Sequence, residues 1–258
     1  MLTGLQIRFL GTGTSQGIPV IGSNHPVCKS LNVKDKRLRV SVLISWGDNN
    51  VVIDCGPDFR QQMLAAACET LTAILFTHEH NDHVAGLDDI RPYFFRQGDI
   101  KAFASKRVFK ALKKRFDYIF TQTDKYPGAP NVQEIEIEKN KPFSIADKTI
   151  IPIEVAHNRL PVFGFRINDF TYITDAKTID DEAIEKIKGT KILVVNALRK
   201  EPHHSHFNLE EALEFIDKIK PERAYLTHIS HLMGFHDEVE KELPKGVFLA
   251  YDGLTITT

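Results

Sequence analysis

Cysteine is scarce. Cys28, Cys55 and Cys68 are the only three in 258 residues, an odd number at wide spacing that excludes a disulfide framework of the kind small secreted domains rely on. Charge of one sign is lacking too: 33 Lys and Arg stand against 34 Asp and Glu, a net charge of -1, so no overall field draws the chain to nucleic acid or an anionic membrane. No uninterrupted apolar run nears the roughly 20 residues a membrane-spanning helix needs. The opening Met1–Leu5 has no basic start, apolar stretch or small-residue cleavage site, from which a cytoplasmic address is expected. Internal repeats and low-complexity tracts are absent. Neither a P-loop nor a Gly-x-Gly-x-x-Gly run occurs, which excludes the common nucleotide fingerprints.

What is present is an ordinary globular balance, 42% hydrophobic and 26% charged, and residues 1–258 are expected to form one domain. Strand-length apolar or alternating runs recur at 5–10, 40–45, 51–54, 73–76, 149–155, 162–167, 170–174, 191–195, 224–226, 247–250 and 254–257. Helices are expected near 59–67, 84–95, 105–118, 179–187, 209–219 and 237–242, the fifth with one apolar face of Leu209, Ala212, Leu213, Ile216 and Ile219. Strands and helices interspersed in this way point to an α/β (α+β) architecture, an αββα sandwich of two sheets flanked by helices. Residues 121–131 read as a long surface loop. The one basic cluster, Lys106 to Arg115, is interleaved with Val108, Phe109 and Leu112 and reads as the solvated face of an amphipathic helix.

Chemistry concentrates at Thr77-His78-Glu79-His80-Asn81-Asp82-His83, which packs three histidines and an aspartate into one strand-to-helix turn. Imidazole and carboxylate donors suit zinc and other borderline divalent ions, and a strand end is rigid enough to hold His78 and His80 on one side. This Thr-x-His-x-His-x-Asp-His pattern resembles the signature of the metallo-β-lactamase superfamily, and the resemblance extends over nearly the whole chain. It implies that His157 is the third histidine, Asp175 the bridging carboxylate and His228 the last histidine. One ion would then take His78, His80 and His157, the other Asp82, His83 and His228, with Asp175 shared. The implied cofactors are two divalent ions, zinc or manganese with iron also compatible, sharing a bridging hydroxide as nucleophile. Asp54 resembles the family's early aspartate, which supports the site without binding metal, although a plain turn aspartate fits the same position.

Three features bear on the branch. Gly11-Thr12-Gly13-Thr14-Ser15 reads either as a tight turn or as the opening of the phosphodiesterase branch, which it resembles and which includes phosphoribosyl 1,2-cyclic phosphate phosphodiesterase. Ile21 to Cys28 lies where those enzymes carry a three-cysteine loop for a structural zinc; two of the cysteines are missing, so the loop either holds a further structural zinc through His25, Cys28 and His231, with Ser23 a poor substitute for a thiolate and a fourth ligand unaccounted for, or is packed by ordinary hydrogen bonds. His206 matches the branch's catalytic, non-ligand histidine, and Asp82 is expected to be catalytic as well as a ligand. His203 and His204 read as solvated loop residues. Arg91 and Arg199 could meet a substrate phosphate or be salt-bridged structure.

The expected function is therefore a dinuclear metal-dependent phosphodiesterase acting on a small or cyclic phosphate ester. The same scaffold also admits a lactonase, thioesterase or β-lactam hydrolase, a tRNA 3′-processing nuclease, or a metal-binding protein without turnover. The expected partners are the small phosphate ester and, as an assembly, a homodimer; a membrane and nucleic acid are not expected.

Overall fold

The computed structural model describes residues 4–121, 123 and 125–258; the first three residues of the opening segment, and two positions of the 121–131 loop, lie outside the described residues. In chain order the strands are β1 (Gln6–Gly11), β2 (Ser41–Trp46), β3 (Asn49–Ile53), β4 (Ala73–Leu75), β5 (Ile100–Ala104), β6 (Val132–Glu136), β7 (Phe143–Ile145), β8 (Lys148–His157), β9 (Leu160–Ile167), β10 (Phe170–Tyr172), β11 (Ile192–Asn196), β12 (Arg223–Thr227), β13 (Val247–Leu249) and β14 (Thr255–Thr257). The helices are α1 (Pro26–Lys29), α2 (Phe59–Ala65), α3 (Asn81–Val84), α4 (Arg91–Gln97), α5 (Lys106–Arg115), α6 (Asp117–Phe120), α7 (Asp181–Ile187), α8 (Leu209–Ile219) and α9 (His236–Glu242).

The strands form two seven-stranded sheets, β14-β1-β2-β3-β4-β5-β6 and β13-β12-β11-β10-β9-β8-β7. Each is antiparallel at one end and parallel at the other, from β3 to β6 and from β10 to β13. Parallel neighbours need crossovers, and α2, α4, α5, α7, α8 and α9 lie in those connections. The inner faces meet in one core, with Phe9, Val42 and Ile44 against Phe165, Tyr172 and Tyr225. Each such fully buried side chain contributes on the order of 1.5–3 kcal/mol. The outer face of the first sheet is covered by Phe59, Met63, Val108 and Leu112, and that of the second by Ile184, Ala212, Phe215 and Val239. The four layers are those of the expected αββα sandwich.

Differences from the sequence reading have local causes. The expected helix at 84–95 is broken into α3, a 3-10 turn and α4, because the Gly86 N–H turns away to bond Cys55 O at 2.9 Å and Pro92 lacks the amide hydrogen that a continuous helix would use. Strand β6, Val-Gln-Glu-Ile-Glu, has a largely exposed face at the edge of its sheet, so its polar composition hid it. Helix α8 matches its expected span, opened by a reciprocal Asn208–Glu211 capping box and closed at Lys220 in the left-handed region ahead of Pro221. Among the described residues no helix is long and apolar enough to cross a membrane.

Helix α9 is docked through its first residue. The His236 ring sits 3.1 Å from the Arg37 guanidinium. Burial, then Arg37 and Lys34, push His236 down to about 4, while Asp237 and Asp35 pull it up. A histidine depressed in the fold contributes stability that is complete above its unfolded value of 6.5 and is lost as the pH falls toward about 4. The thermal midpoint of the wild type is therefore expected to fall relative to that of His236→Gln over this interval; two parallel curves would refute it.

Candidate metal centre

Both sheets deliver their strand ends to one edge of the sandwich. From the first come Asp54, just after β3, and the turn Thr77–His83, just after β4; from the second come His157 at the end of β8, Asp175 beyond β10 and His228 after β12. Asp54, Asp175 and His228 each have positive φ, at 62°, 57° and 56°. That left-handed backbone costs of order 1–3 kcal/mol for a non-glycine residue and persists where the surroundings enforce it. Here it turns each strand sharply enough to aim a side chain into the cleft.

Hydrogen bonds then set which ring nitrogens are free. Asp54 accepts the Thr77 N–H and the Thr77 hydroxyl, both at 2.8 Å, and the His83 Nδ1–H at 2.7 Å. With its proton on Nδ1, His83 presents a bare Nε2, which lies 3.3 Å from both Asp82 Oδ2 and Asp175 Oδ2. His157 is fixed in the same way, donating from Nδ1 to Ser205 O at 2.7 Å and leaving Nε2 as a ligand atom. His228 Nε2 lies 3.3 Å from Asp175 Oδ1 and 3.6 Å from Asp82 Oδ2. His78 Nε2 and His80 Nδ1 converge at 3.0 Å. A carboxylate or carbonyl behind a histidine is the arrangement that fixes tautomer and ring plane at metal sites.

The charge balance shows that cations fit. Asp54, Asp82 and Asp175 are all buried, and among the described residues their only ion-pair partners are imidazoles. Burial opposes ionisation of Asp175, yet His228 and His83 override it and hold the carboxyl well below the usual carboxylate range. Asp82 is lowered against the same opposition by His83 and His228. His83 responds in kind: burial would lower it, and Asp82, Asp175 and Asp54 raise it. Such a carboxylate cluster is stabilised by positive charge, from protons on histidine or from divalent ions. His83 Nε2 and His228 Nε2 are buried with no hydrogen-bond partner, as expected of donors reserved for a metal, and His206 Nδ1 is likewise buried and unpartnered. The sets His78–His83–Asp175, Asp82–His83–His228 and His157–Asp175–His206 each bring three ligand atoms within 4.8 Å of one another. The residues present fit bound metal.

All seven expected ligands and Asp54 thus meet in one place, and His206 joins them, its Nδ1 3.7 Å from Asp175 Oδ1. His203 packs on it, ring centroids 5.2 Å apart, and is half-buried rather than solvated. Arg91 and Arg199 are committed elsewhere: Arg91 pairs with Asp88 and donates to Gly128 O, and Arg199 donates to Glu201 O and Pro202 O. The Gly-Thr-Gly-Thr-Ser opening clamps the residue after His228, Ile229 N–H donating to Thr12 O at 2.9 Å and Thr14 N–H to Ile229 O at 3.0 Å. His25 and His231 pack edge to face at 4.9 Å, away from this centre's donor sets.

Some supporting residues escaped the sequence reading. Thr77 joins Asp54 to the motif, and its hydroxyl also lies 2.9 Å from His78 Nδ1. Glu79 pairs with Arg107 at 2.9 Å, docking α5 on the turn. At Gly56 an added Cβ would lie 1.9 Å from Asp82 O, so only glycine lets this strand end pass beneath the metal turn. Thr77 directly precedes His78 and Gly56 lies two positions after Asp54, a signal that was available.

Residues 49–229 match the family model of a beta-lactamase superfamily domain. The crystal structure of a diphosphatase from the PhnP family superposes with a TM-score of 0.93 at 35% identity, covering 100% of this chain and 98% of that one. A protein named octanoyltransferase, from Porphyromonas gingivalis, is 39% identical over 248 residues, 95% of this chain and 50% of that protein. A ribonuclease Z from Exiguobacterium is 29% identical over 168 residues, 64% of this chain and 49% of that protein. The chain spans about half the length of these two curated relatives.

Removing the carboxylate behind His83 should weaken metal retention. For Asp54→Ala a loss of about 10–100-fold in affinity is expected, read by competition with a chromogenic chelator, with far-ultraviolet circular dichroism unchanged. Wild-type retention in this variant would show that Asp54 does not support the site.

Proposed function

The chain belongs to the β-lactamase superfamily, and within it to the PhnP family; from that premise we propose that it is a dinuclear metal-dependent phosphodiesterase acting on a small or cyclic phosphate ester. Bound divalent ions at these donors supply an activated water as nucleophile and neutralise charge that builds on phosphoryl oxygens. The observation that carries the phosphate reading is His206. Its ring lies between those of His157 and His228, at centroid distances of 4.4 and 4.8 Å, and its Nδ1 is buried without a partner.

Burial, then the neighbouring His228, push the His206 pKa down, with Asp175 pulling it up. A neutral imidazole at this position offers a ring N–H that hydrogen-bonds a departing or phosphoryl oxygen as negative charge develops there, the proton staying on the ring. The Asp175 carboxylate lies 3.7 Å from the ring's Nδ1, and Asp82 is proposed to act beside it as a charged ligand. The likeness to a diphosphatase of the PhnP family supports a phosphorus centre in the substrate. The two divalent ions are proposed to be zinc or manganese, which suit nitrogen and oxygen donors. A cytoplasmic location is also proposed, supported by three cysteines that all remain free thiols.

The reading is tested with bis-(p-nitrophenyl) phosphate, a lactone, a thioester and nitrocefin. Turnover of the phosphate diester alone is expected; preferential turnover of any of the other three sinks the assignment. In His206→Ala, diester turnover should fall about 10²–10⁴-fold with metal content unchanged. An unaltered rate would remove His206 from the chemistry, and a drop in metal content would make it a ligand.

A further inference from the structure

The resemblance drawn from the Ile21–Cys28 loop allows a structural zinc there, yet the donors this chain retains do not converge on one point. His25 caps α1, the Val27 N–H donating to its Nδ1 at 3.3 Å. A neutral imidazole that accepts at Nδ1 carries its proton on Nε2 and has no lone pair left for a metal. Cys28 Sγ accepts the Val20 N–H at 3.5 Å and packs into a small apolar cluster with Ile18, Val27, Val20 and Phe235. Ser23 Oγ accepts the His25 N–H at 3.1 Å. Among the described residues His25, Cys28 and His231 form no set with ligand atoms within 4.8 Å, as three sets at the metal centre do. A structural zinc closes on four nitrogen or sulfur donors, and this loop offers no such arrangement.

A series of buried polar contacts holds the segment. Asp35 accepts the Ser30 hydroxyl at 2.6 Å on one oxygen and the His236 N–H at 2.7 Å on the other. Arg37, buried, places Nη2 3.1 Å from His236 Nδ1 and donates through Nη1 to Thr12 Oγ1 at 2.7 Å and to Ala250 O. Asp252 accepts the Thr12 hydroxyl at 2.7 Å and the Leu38 N–H at 2.6 Å. Lys36 Nζ returns to Cys28 O at 3.1 Å. Segment 28–38 is thereby tied to the opening loop, to the chain after β13 and to α9, whose preceding turn carries His231. A buried charge is tolerated only when its bonds are completed in this way.

We propose that this chain carries the loop without a structural zinc, its cross-link replaced by the Ser30–Asp35–His236–Arg37 clip. Protein isolated without chelator is analysed for bound metal by mass spectrometry beside Cys28→Ala and His25→Ala, and the cobalt-substituted wild type is examined for sulfur-to-metal charge-transfer absorption. Equal metal content in all three and no charge-transfer band are expected. Loss of an equivalent in either variant, or a thiolate band in the wild type, overturns the proposal. For the clip, Asp35→Ala should speed proteolytic cleavage within residues 20–36 roughly tenfold, the scale of losing hydrogen bonds to a charged group, with metal content unchanged. Wild-type cleavage would overturn that part; if Asp35→Ala does not fold, Ser30→Ala, which removes one of the same bonds, gives the same readout.

Discussion

Three carboxylates, Asp54, Asp82 and Asp175, are buried at one edge of the sandwich, and among the described residues only histidines pair with their charge. Isolated carboxylates in such a place would protonate or drive the structure apart. Much else follows from keeping them ionised. The histidines must be close, their tautomers must be fixed from behind, and the backbone must bend sharply at each strand end to bring the donors together. Asp54 and Ser205 O perform the tautomer fixing for His83 and His157, which is why a residue that need never touch a metal is as firmly built in as the ligands themselves.

The backbone contribution is as specific as that of the side chains. Left-handed φ at Asp54, Asp175 and His228 is tolerated because aspartate and histidine are among the residues that accept it with least penalty. Gly56 solves the complementary problem, letting one strand end pass within contact of the Asp82 carbonyl. The Gly-Thr-Gly-Thr-Ser turn, which on sequence could be a phosphodiesterase opening or a plain turn, acts as a clamp on Ile229 and so sets where His228 points.

How much of this was legible in the sequence depended on contiguity. His78 to His83 lie within one turn, so donor type and spacing could be read directly. His157, Asp175 and His228 are separated by long intervals and were reachable only through the order in which the family resemblance sets them; each lies at a strand end, which the apolar runs before them signalled. The sandwich followed from alternating strands and helices, whereas β5 and β7 were missed and β6 was hidden by its polar composition at a sheet edge. Arg37 was opaque for a different reason: in Lys34-Asp35-Lys36-Arg37 it reads as one more solvated charge, and nothing local reveals that its side chain turns inward to His236 and Thr12.

The donors are divided between the two sheets, with His78, His80, Asp82 and His83 carried by one and His157, Asp175, His206 and His228 by the other. The centre is therefore a seam, and its dimensions are those of the sandwich. Contacts such as Phe9 against Tyr225, at 5.8 Å between ring centroids, set how far apart the two halves of the ligand set stand. Metal coordination tolerates deviations of only about 0.2 Å, so the hydrophobic interior acts as the gauge block of the edge that carries the donors. Selection on the bulk of core residues in this architecture is at the same time selection on coordination geometry.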